Sequence, residues 1–178
     1  MSTDPESSDI AAHLDYLREQ ARDRVVIELG VRTGVSTAAF LSSAAEVWSC
    51  DIEPPRVPNS WWRLDDWHFI LGPSTHFRTA SALPQRCDVL FIDTSHEYDQ
   101  TLTELGIYWP RVKSGGYALL HDVLWEPIDP EINGGRWCRE LDSPGGPVTR
   151  AIEEFIAARG LSCTYRHGSF GLGVIRKP

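Results

Sequence analysis

The segment that most constrains the fold is a short apolar run that stops at a glycine and leads into a helix. Residues 25–29 have the pattern of a buried strand, Gly30 breaks it, and residues 36–41 continue as a helix. This order is typical of an α/β domain, in which the turn brings backbone N–H groups to a ligand at the end of a strand. The pattern therefore predicts a ligand site at the carboxyl end of the first strand.

The rest of the chain alternates strands with helices. The spacing of apolar residues predicts helices at 10–23, 98–112 and 148–158, and strands at 47–52, 67–71, 88–93, 117–120, 161–166 and 170–175. The last two strands flank Gly168 and Ser169, which predict a two-residue hairpin turn. We therefore expect an α/β fold, a Rossmann-like three-layer sandwich with a mostly parallel seven-stranded sheet and a C-terminal antiparallel hairpin.

Length and charge restrict the organisation and the partners. The 178 residues are enough for one domain over 1–178, in which we expect residues 1–8 to be flexible and residues 123–146 to form an active-site loop. The formal net charge of -8 disfavours nucleic acid and anionic membranes as partners. The first residues lack a basic stretch followed by an apolar one, so we expect a cytoplasmic protein.

The glycine turn and the second strand end point to an amino acid joined to a nucleoside. Glu28, Gly30 and Gly34 form an ExGxxxG pattern, which differs from the GxGxxG of NAD-binding turns. The turn amides can bind a carboxylate, and Glu28 can offer an anion to an amine. Asp51 ends the second strand, where a carboxylate can accept hydrogen bonds from ribose hydroxyls. S-adenosylmethionine (SAM) combines these groups.

Four ordered motifs carry a resemblance to a known family; they are residues 26–34, 91–98, 113–123 and 171–176. With them the chain resembles class I SAM-dependent methyltransferases, specifically the small-molecule O-methyltransferase group that includes catechol-type and macrolide-sugar enzymes. The resemblance implies that Gly30 and the turn up to Gly34 contact the methionine end of SAM, with Glu28 beside it. It also implies that Asp51 holds the ribose and that Ser74 and Thr75 border the adenine.

Two further carboxylates follow neighbouring strands. Asp93 and Asp122 end the predicted fourth and fifth strands, so a parallel sheet would bring them together. The pair could hold Mg²⁺ or another divalent cation, which would bind acceptor oxygens. In the alternative, Asp93 binds the cofactor amine and Asp122 caps a loop. The catechol-type pattern has Asn after the second Asp, whereas this chain has Val123, which cannot be a ligand.

Two histidines are candidates for acid–base chemistry. His96 lies three residues after Asp93, where the families that the chain resembles carry a general base, and an imidazole can accept a proton near neutral pH. A surface or helix-capping role is the alternative for His96. His121 could be a base, a metal ligand or a wall of the pocket, and the sequence leaves these roles open.

These features favour a metal-assisted O-methyltransferase that acts on a hydroxyl of a small-molecule acceptor, a sugar-containing natural product or a phenol. A metal-independent methyltransferase and a non-catalytic module that binds SAM or its product are the alternatives. The loops with Trp61 and Trp62 could cover the adenine, and those with Trp125 and Trp137 the acceptor; the alternative for each ring is packing on the sheet edge. The short N-terminal helical region leads us to expect a homodimer.

Overall fold

The computed structural model describes residues 10–129 and 138–178. Strands and helices alternate along these residues, as the sequence predicts. The helices are α1 (Leu14–Ala21), α2 (Val35–Leu41), α3 (Phe77–Ala82), α4 (Tyr98–Tyr108) and α5 (Gly146–Ala157). The strands are β1 (Val25–Leu29), β2 (Glu46–Asp51), β3 (Trp67–Leu71), β4 (Cys87–Ile92), β5 (Val112–His121), β6 (Trp125–Pro127), β7 (Cys138–Glu140), β8 (Cys163–Arg166) and β9 (Leu172–Arg176).

Seven of these strands form the main sheet, in the order β3-β2-β1-β4-β5-β9-β8. Strands β1 to β5 are parallel to one another, whereas β9 is antiparallel to both β5 and β8. The order reverses between β1 and β4, so the chain leaves these two adjacent strands in opposite directions. Open α/β sheets form a ligand crevice at such a point, outside the carboxyl ends of the strands.

Helices cover both faces of the sheet and give the molecule three layers. On one face, Leu17 of α1 and Phe40 of α2 pack with the fully buried Val26 of β1. On the other face, Tyr108 of α4 and Phe155 of α5 pack in a second core with central strand residues. Because β1 and β4 are covered on both sides, they are apolar along most of their length. The sheet ends that carry the site are thus fixed by two hydrophobic cores.

The predicted fold class is confirmed, and the predicted strand β3 has the observed bounds. Strand β5 begins at Val112 rather than at residue 117. Its first residues include Lys113, Ser114 and two glycines, which have low strand propensity. They nevertheless pair, because Val112 lies opposite Cys87 and the C-terminal Lys177 exchanges backbone hydrogen bonds with Gly115 and Gly116.

Three local features differ from the sequence prediction. Helix α3 was not predicted, since its one large apolar residue, Phe77, is 79% exposed and leaves no amphipathic pattern. The predicted loop 123–146 contains a small antiparallel sheet formed by β6 and β7. The turn between β8 and β9 spans residues 167–171 rather than two residues.

Some predictions concern features that the described residues do not test. The predicted flexible segment 1–8 and Trp137 lie outside the described residues. Within residues 10–129 and 138–178, no helix is long and apolar enough to cross a membrane. The expected homodimer, single-domain organisation and cytoplasmic location stay predictions.

Candidate active site

A cleft of about 530 Å³ opens at the carboxyl ends of the first four strands. It is lined by residues at or just beyond each strand end: Gly30 after β1, Asp51 at the end of β2, Ser74 in the loop after β3 and Asp93 after β4. The cleft therefore lies at the reversal of strand order, where the topology predicts a ligand site.

Gly30 allows the ends of β1 and β4 to approach each other. It has φ of +92°, a conformation that L side chains rarely adopt, and a Cβ atom at this position would lie 1.8 Å from the backbone oxygen of Asp93. Backbone hydrogen bonds from Gly30 to Cys50 (2.9 Å) and from Asp93 to Leu29 (2.8 Å) hold the two strand ends. A side chain at position 30 would thus displace Asp93 from the cleft.

Asp51 shapes the glycine turn as well as lining the cleft. Its Oδ2 accepts hydrogen bonds from the backbone N–H groups of Val31 (2.8 Å) and Arg32 (3.0 Å), and its Oδ1 accepts one from Glu53 (3.2 Å). A carboxylate oxygen has two lone pairs, so Oδ1 keeps one for a ligand. The turn is therefore anchored by the same carboxylate that faces the cleft.

Glu28 is fully buried beneath the turn and does not line the cleft. Its carboxylate accepts hydrogen bonds from three hydroxyl groups, those of Ser36 (2.7 Å), Thr37 (2.8 Å) and Ser49 (2.6 Å). The prediction that Glu28 offers an anion directly to a ligand amine is therefore wrong for this geometry. Glu28 instead ties the start of α2 to β1 and β2.

A second buried carboxylate, Glu104 of α4, lies behind another part of the cleft. It accepts hydrogen bonds from Ser74 (2.5 Å), Thr94 (3.0 Å) and Gln100 (2.9 Å), and these three residues line the cleft. Each comes from a different element: the loop after β3, the loop after β4 and the first turn of α4. Glu104 therefore fixes the relative positions of three parts of the cleft wall.

Two carboxylates and two imidazoles meet where β4 and β5 end. His96 Nε2 lies 2.8 Å from Asp122 Oδ2 and 3.5 Å from Asp93 Oδ1. His121 Nδ1 lies 3.0 Å from the same Asp122 oxygen and 3.6 Å from the same Asp93 oxygen. His96 and Asp122 both have positive φ, +58° and +62°, which is uncommon for these residues and typical of functional sites. The predicted neighbourhood of Asp93 and Asp122 is thus present.

The carboxylates hold protons on the imidazoles. Burial lowers the pKa of His96, but hydrogen bonds to Asp122 and Asp93 outweigh burial and raise the pKa to about 9. Burial also lowers the pKa of His121, yet the charge of Asp93 and the hydrogen bond to Asp122 raise it well above its ordinary value. Burial raises the pKa of Asp93, but His121 and His96 bring it far below its ordinary value. The raised pKa values of the imidazoles and the lowered pKa of Asp93 both follow from this close contact between acidic and basic groups.

The turn between β8 and β9 supports His121 from the other side. The backbone oxygen of Ser169 accepts a hydrogen bond from His121 Nε2 (2.8 Å), so this nitrogen carries a proton. Four consecutive residues, 168–171, have positive φ, although Ser169 and Phe170 carry side chains. The Ser169 hydroxyl also accepts a hydrogen bond from the backbone of Ala12 (3.1 Å). The turn links the N-terminal helical region to the imidazole.

Of the tryptophans that could cover the site, Trp125 lies beside His96, whereas Trp61 and Trp62 lie at the edge of the sheet. The Trp125 ring packs edge-on against His96, with ring centroids 5.1 Å apart. Trp61 and Trp62 instead pack against Trp67, with centroids 5.6 and 5.2 Å apart, and they do not line the cleft. These contacts are those of the alternative, in which the rings pack on the sheet edge, and a cover over the adenine stays a prediction.

Comparison with protein families identifies the fold that carries this site. A family described as a methyltransferase domain matches residues 27–123, more than half of the chain. The chain belongs to this family. The matched segment contains Gly30, Asp51, Ser74, Asp93 and Asp122, which the preceding geometry brings to the cleft or to its edge. Its fold is the one found in class I SAM-dependent methyltransferases.

Solved structures share the fold of this methyltransferase at low sequence identity. A Podospora anserina methyltransferase bound to S-adenosylhomocysteine (SAH) is 14% identical, with a TM-score of 0.64 over 100% of this chain and 80% of that one. A Burkholderia thailandensis 1,6-didemethyltoxoflavin N1-methyltransferase with SAH is 15% identical, with a TM-score of 0.64 over 97% and 80%. A Staphylococcus aureus protein proposed to be a caffeoyl-CoA O-methyltransferase is 15% identical, with a TM-score of 0.68 over 94% and 83%.

A curated relative of the methyltransferase matches a shorter segment. This uncharacterised protein of Acanthamoeba polyphaga mimivirus is 33% identical over 61 residues, which cover 32% of the chain. The same segment is 28% of the viral protein, so the two chains share only part of their length.

The methyltransferase brings four of its seven predicted cofactor-binding residues to the cleft. Gly30, Asp51, Ser74 and Asp93 line it, whereas Gly34 and Thr75 do not. Gly34 is the residue before α2, and a Cβ there would lie 2.6 Å from Val57, so this glycine serves the packing of the turn. The predicted contacts of Gly34 and Thr75 with the ligand stay predictions.

Sequence reasoning missed several residues in and behind the methyltransferase cleft, among them Gln100, Glu104 and Ile52. Gln100 and Glu104 lie one helical turn apart on α4, and the only local signal was a charged residue on a buried helix face. Ile52 lines the cleft with 70% of its surface exposed. An exposed aliphatic residue directly after Asp51 was a usable signal for an apolar contact with a ligand.

The buried carboxyl of Glu28 predicts a pH-dependent stability of the methyltransferase. Burial raises the pKa of Glu28 from 4.5 to about 7, although three hydroxyl groups partly oppose the shift. The folded protein therefore binds more protons than the unfolded chain between these values. The stabilising contribution is complete below the unfolded pKa and is lost as pH rises through 7. Between pH 4.5 and 8, we expect the free energy of unfolding of the wild type to fall by about 3 kcal/mol more than that of Glu28→Gln.

Urea unfolding at a series of pH values measures this difference. Glu19→Gln, which changes an exposed carboxyl on α1, is the matched control and should keep the wild-type dependence on pH. Parallel pH curves for the wild type and Glu28→Gln would contradict the assignment of a buried carboxyl with a raised pKa.

Proposed function

We propose that this methyltransferase transfers the methyl group of SAM to a hydroxyl of a small molecule, a sugar-containing natural product or a phenol, with His96 as the general base. The observation that supports this proposal is the cluster of Asp93 Oδ1, His96 Nε2 and Asp122 Oδ2, which lie within 4.8 Å of one another. Asp93 belongs both to this cluster and to the cofactor cleft, so the base would stand next to the methyl donor.

The cleft offers a partner to each part of SAM. The backbone turn after Gly30 suits the methionine carboxylate, and the carboxylate of Asp93 suits its amine. The free lone pair of Asp51 Oδ1 suits a ribose hydroxyl. Ile52, exposed at the cleft, offers an aliphatic surface to the flat face of the adenine. Within this arrangement Glu28 supports the turn from below and has no ligand contact.

Methyl transfer requires the protein to align the acceptor oxygen with the methyl carbon and the sulfur of SAM, and it needs no covalent intermediate on the protein. The acceptor oxygen attacks the methyl carbon, the carbon–sulfur bond breaks, and its electron pair remains on sulfur as SAH forms. His96 Nε2 takes the proton of the hydroxyl, which makes the oxygen a better nucleophile. Trp125 packs against His96 and helps to exclude water from the reacting groups. We propose that residues 123–146, which include Trp125, border the acceptor.

The residues at the end of β4 and β5 fit a divalent cation. The carboxylate oxygens of Asp93 and Asp122 are the ligands that Mg²⁺ prefers, and they lie close enough together for one ion to bind both. Such an ion would supply a positive charge for the acceptor oxygens. Because carboxylate charge raises the pKa of His96 to about 9, balancing that charge would leave the imidazole free to accept a proton. We therefore favour the cation-assisted form.

A metal-independent methyltransferase is the second candidate, and the contacts of His121 favour it. Both ring nitrogens of His121 face acceptors, the Ser169 carbonyl on one side and Asp122 on the other. A doubly protonated His121 would place one positive charge where a cation would otherwise balance the carboxylates. In this form His96 acts as the base only after it has lost its proton, and its pKa of about 9 makes that the minor state near neutral pH.

The charge of the chain supports a small acceptor over RNA. The chain has 25 acidic and 17 basic side chains, and the resulting net charge of -8 repels a phosphate backbone. Among the structures that share the fold is an rRNA methylase from Streptococcus thermophilus with 13% identity, which shows how little the fold alone restricts the acceptor.

Calorimetric titration with SAH tests the proposal, followed by assays of methyl transfer to phenols and aminosugar- or sugar-containing acceptors. We expect SAH to bind with a micromolar Kd and hydroxyl-bearing acceptors to become methylated. A folded protein that does not bind SAH would contradict the cofactor assignment. Binding without methylation of any hydroxyl, but with methylation of amines, would contradict the O-specific proposal.

Chelation separates the two forms of the enzyme. We expect EDTA to lower turnover of the wild type by about tenfold or more, because a charge at the reacting oxygens is worth several kcal/mol. Asp122→Asn should show the same loss and no further response to EDTA. Asp15→Asn, which changes an exposed carboxyl on α1, should behave as the wild type. Full wild-type turnover in EDTA would favour the metal-independent form.

A further inference from the structure

The side chain of Gln100 is held at the cleft by two hydrogen bonds from one atom. Its Nε2 donates to Glu104 Oε1 (2.9 Å) and to Ser74 Oγ (3.0 Å). An amide nitrogen has two hydrogens, so both are used. The remaining polar atom of the amide is the carbonyl oxygen, and Gln100 lines the cleft. Gln100 therefore presents a hydrogen-bond acceptor to a ligand, and no free donor.

Glu104 determines this orientation of the amide. Both carboxylate oxygens accept hydrogen bonds, Oε1 from Ser74 and Gln100 and Oε2 from Thr94. A carboxylate acceptor requires the nitrogen of Gln100, not its oxygen, to face it. Rotation of the amide by half a turn would bring two acceptors together in a buried place, which is strongly unfavourable. The amide is thus locked in one of its two orientations.

Ser74 is excluded as a second donor by the same contacts. Its hydroxyl hydrogen is donated to Glu104, and its oxygen accepts from Gln100. The backbone oxygen of Ser74 is also engaged, since it accepts a hydrogen bond from Tyr108 (2.6 Å). Recognition of a ligand by this part of the cleft is therefore dominated by an acceptor, the carbonyl of Gln100.

We propose that the carbonyl oxygen of Gln100 accepts a hydrogen bond from the exocyclic amino group of adenine, and that Glu104 is the positioning residue that makes this preference strict. The proposal rests on the assignment of SAM as the cofactor. A hypoxanthine ring carries an oxygen in place of the amino group and would set two acceptors against each other. The locked amide cannot turn to relieve this contact, so the cleft selects the adenine base.

Titration with SAH and with S-inosylhomocysteine, its deaminated analogue, tests the proposal. We expect the wild type to bind SAH at least about tenfold more tightly than the analogue, because an unpaired or repelled buried polar group strongly disfavours the wrong ligand. Gln100→Leu removes the acceptor and should reduce this ratio to about threefold or less. The variant loses both the hydrogen bond to the amino group of SAH and the repulsion of the ring oxygen of the analogue.

Variants at Glu104 test the positioning role separately. Glu104→Leu frees the amide of Gln100 to rotate, so the variant should bind the analogue almost as well as SAH. Glu104→Gln can still accept from Ser74 and Gln100 through its oxygen while its nitrogen faces Thr94, and should keep most of the wild-type ratio. A merely structural role of Glu104 would weaken both ligands alike. Gln85→Leu, at an exposed amide outside the cleft, is the control.

Each outcome is distinct from a failure of the cofactor assignment. No binding of SAH by the folded wild type would contradict the cofactor assignment itself. Binding of SAH with the same ratio in the wild type and in Gln100→Leu would overturn this inference and leave the cofactor assignment intact. An unchanged ratio in Glu104→Leu, with a reduced ratio in Gln100→Leu, would overturn the positioning role of Glu104.

Discussion

Replacement of His96 by Asn is expected to lower kcat by about 10²- to 10⁴-fold, the contribution of a positioned general base. His96 has φ of +58°, and Asn is one of the few residues with side chains that adopts this conformation at low cost. The variant should therefore fold and keep its cofactor cleft. We expect the affinity for SAH to change by less than about threefold, because the lost group acts on the acceptor.

His76→Asn is the matched control for this variant. His76 is exposed before α3 and makes no capping hydrogen bond, so its loss should leave turnover unchanged. The assay is single-turnover methyl transfer to whichever acceptor the screen identifies. Wild-type kcat in His96→Asn would remove His96 from the mechanism and leave His121 as the remaining imidazole of the cluster.

Replacement of Gly30 by Ala is expected to have the largest effect on cofactor binding and on stability. The left-handed backbone costs about 1–2 kcal/mol for a residue with Cβ. The new Cβ would lie 1.8 Å from the backbone oxygen of Asp93, so the ends of β1 and β4 must move apart. Overpacking of this kind costs about 1–3 kcal/mol more. We expect SAH binding to be lost and the unfolding midpoint in urea to fall.

Gly106→Ala provides the contrast within the same chain. Gly106 lies in α4, and a Cβ there would meet nothing within 4 Å. We expect this substitution to stabilise the protein by about 0.4–1 kcal/mol, because Ala reduces the freedom of the unfolded chain. SAH titration and urea unfolding of both variants measure the pair. A Gly30→Ala protein with wild-type stability and SAH affinity would contradict the close approach of the two strands.

The central part of the fold could be predicted because its signals are local. The run of residues 25–29 is apolar on both sides, Gly30 stops it, and α2 follows within a few residues. Parallel strands buried on both faces have this pattern whatever their distant partners are. The carboxyl-end residues Asp51, Asp93 and Asp122 then follow from topology alone, since parallel strand ends meet at one edge of the sheet.

Orientation into or away from the cleft could not be predicted in the same way. Glu28 belongs to the glycine motif, but alternation along β1 directs its side chain to the face covered by α2, where Ser36, Thr37 and Ser49 surround it. Its hydroxyl partners come from two other elements, so only the assembled structure brings them together. The same holds for Trp61, whose contact with Trp67 across a loop was not encoded in a local pattern.

The cleft wall around Glu104 could not be predicted from local sequence patterns either, because it is assembled from several separate segments. Its partners Ser74 and Thr94 are 30 and 10 residues away in sequence, and each alone is an ordinary loop hydroxyl. A buried carboxyl needs such partners, so a glutamate on an apolar helix face predicts hydrogen-bond donors nearby without naming them. Their identity depends on which loops the sheet order places beside α4.

The left-handed turn at residues 168–171 restricts where this chain can be cut, tagged or extended. Hairpin tips are the usual choice for insertions and circular permutation, because their ends are close and exposed. Here the tip holds His121 through the Ser169 carbonyl and the N-terminal region through the Ser169 hydroxyl. New termini at this tip would therefore disturb the imidazole. The turn at Gly160 is exposed and has open space around it, which makes it the better permissive site for a biosensor fusion.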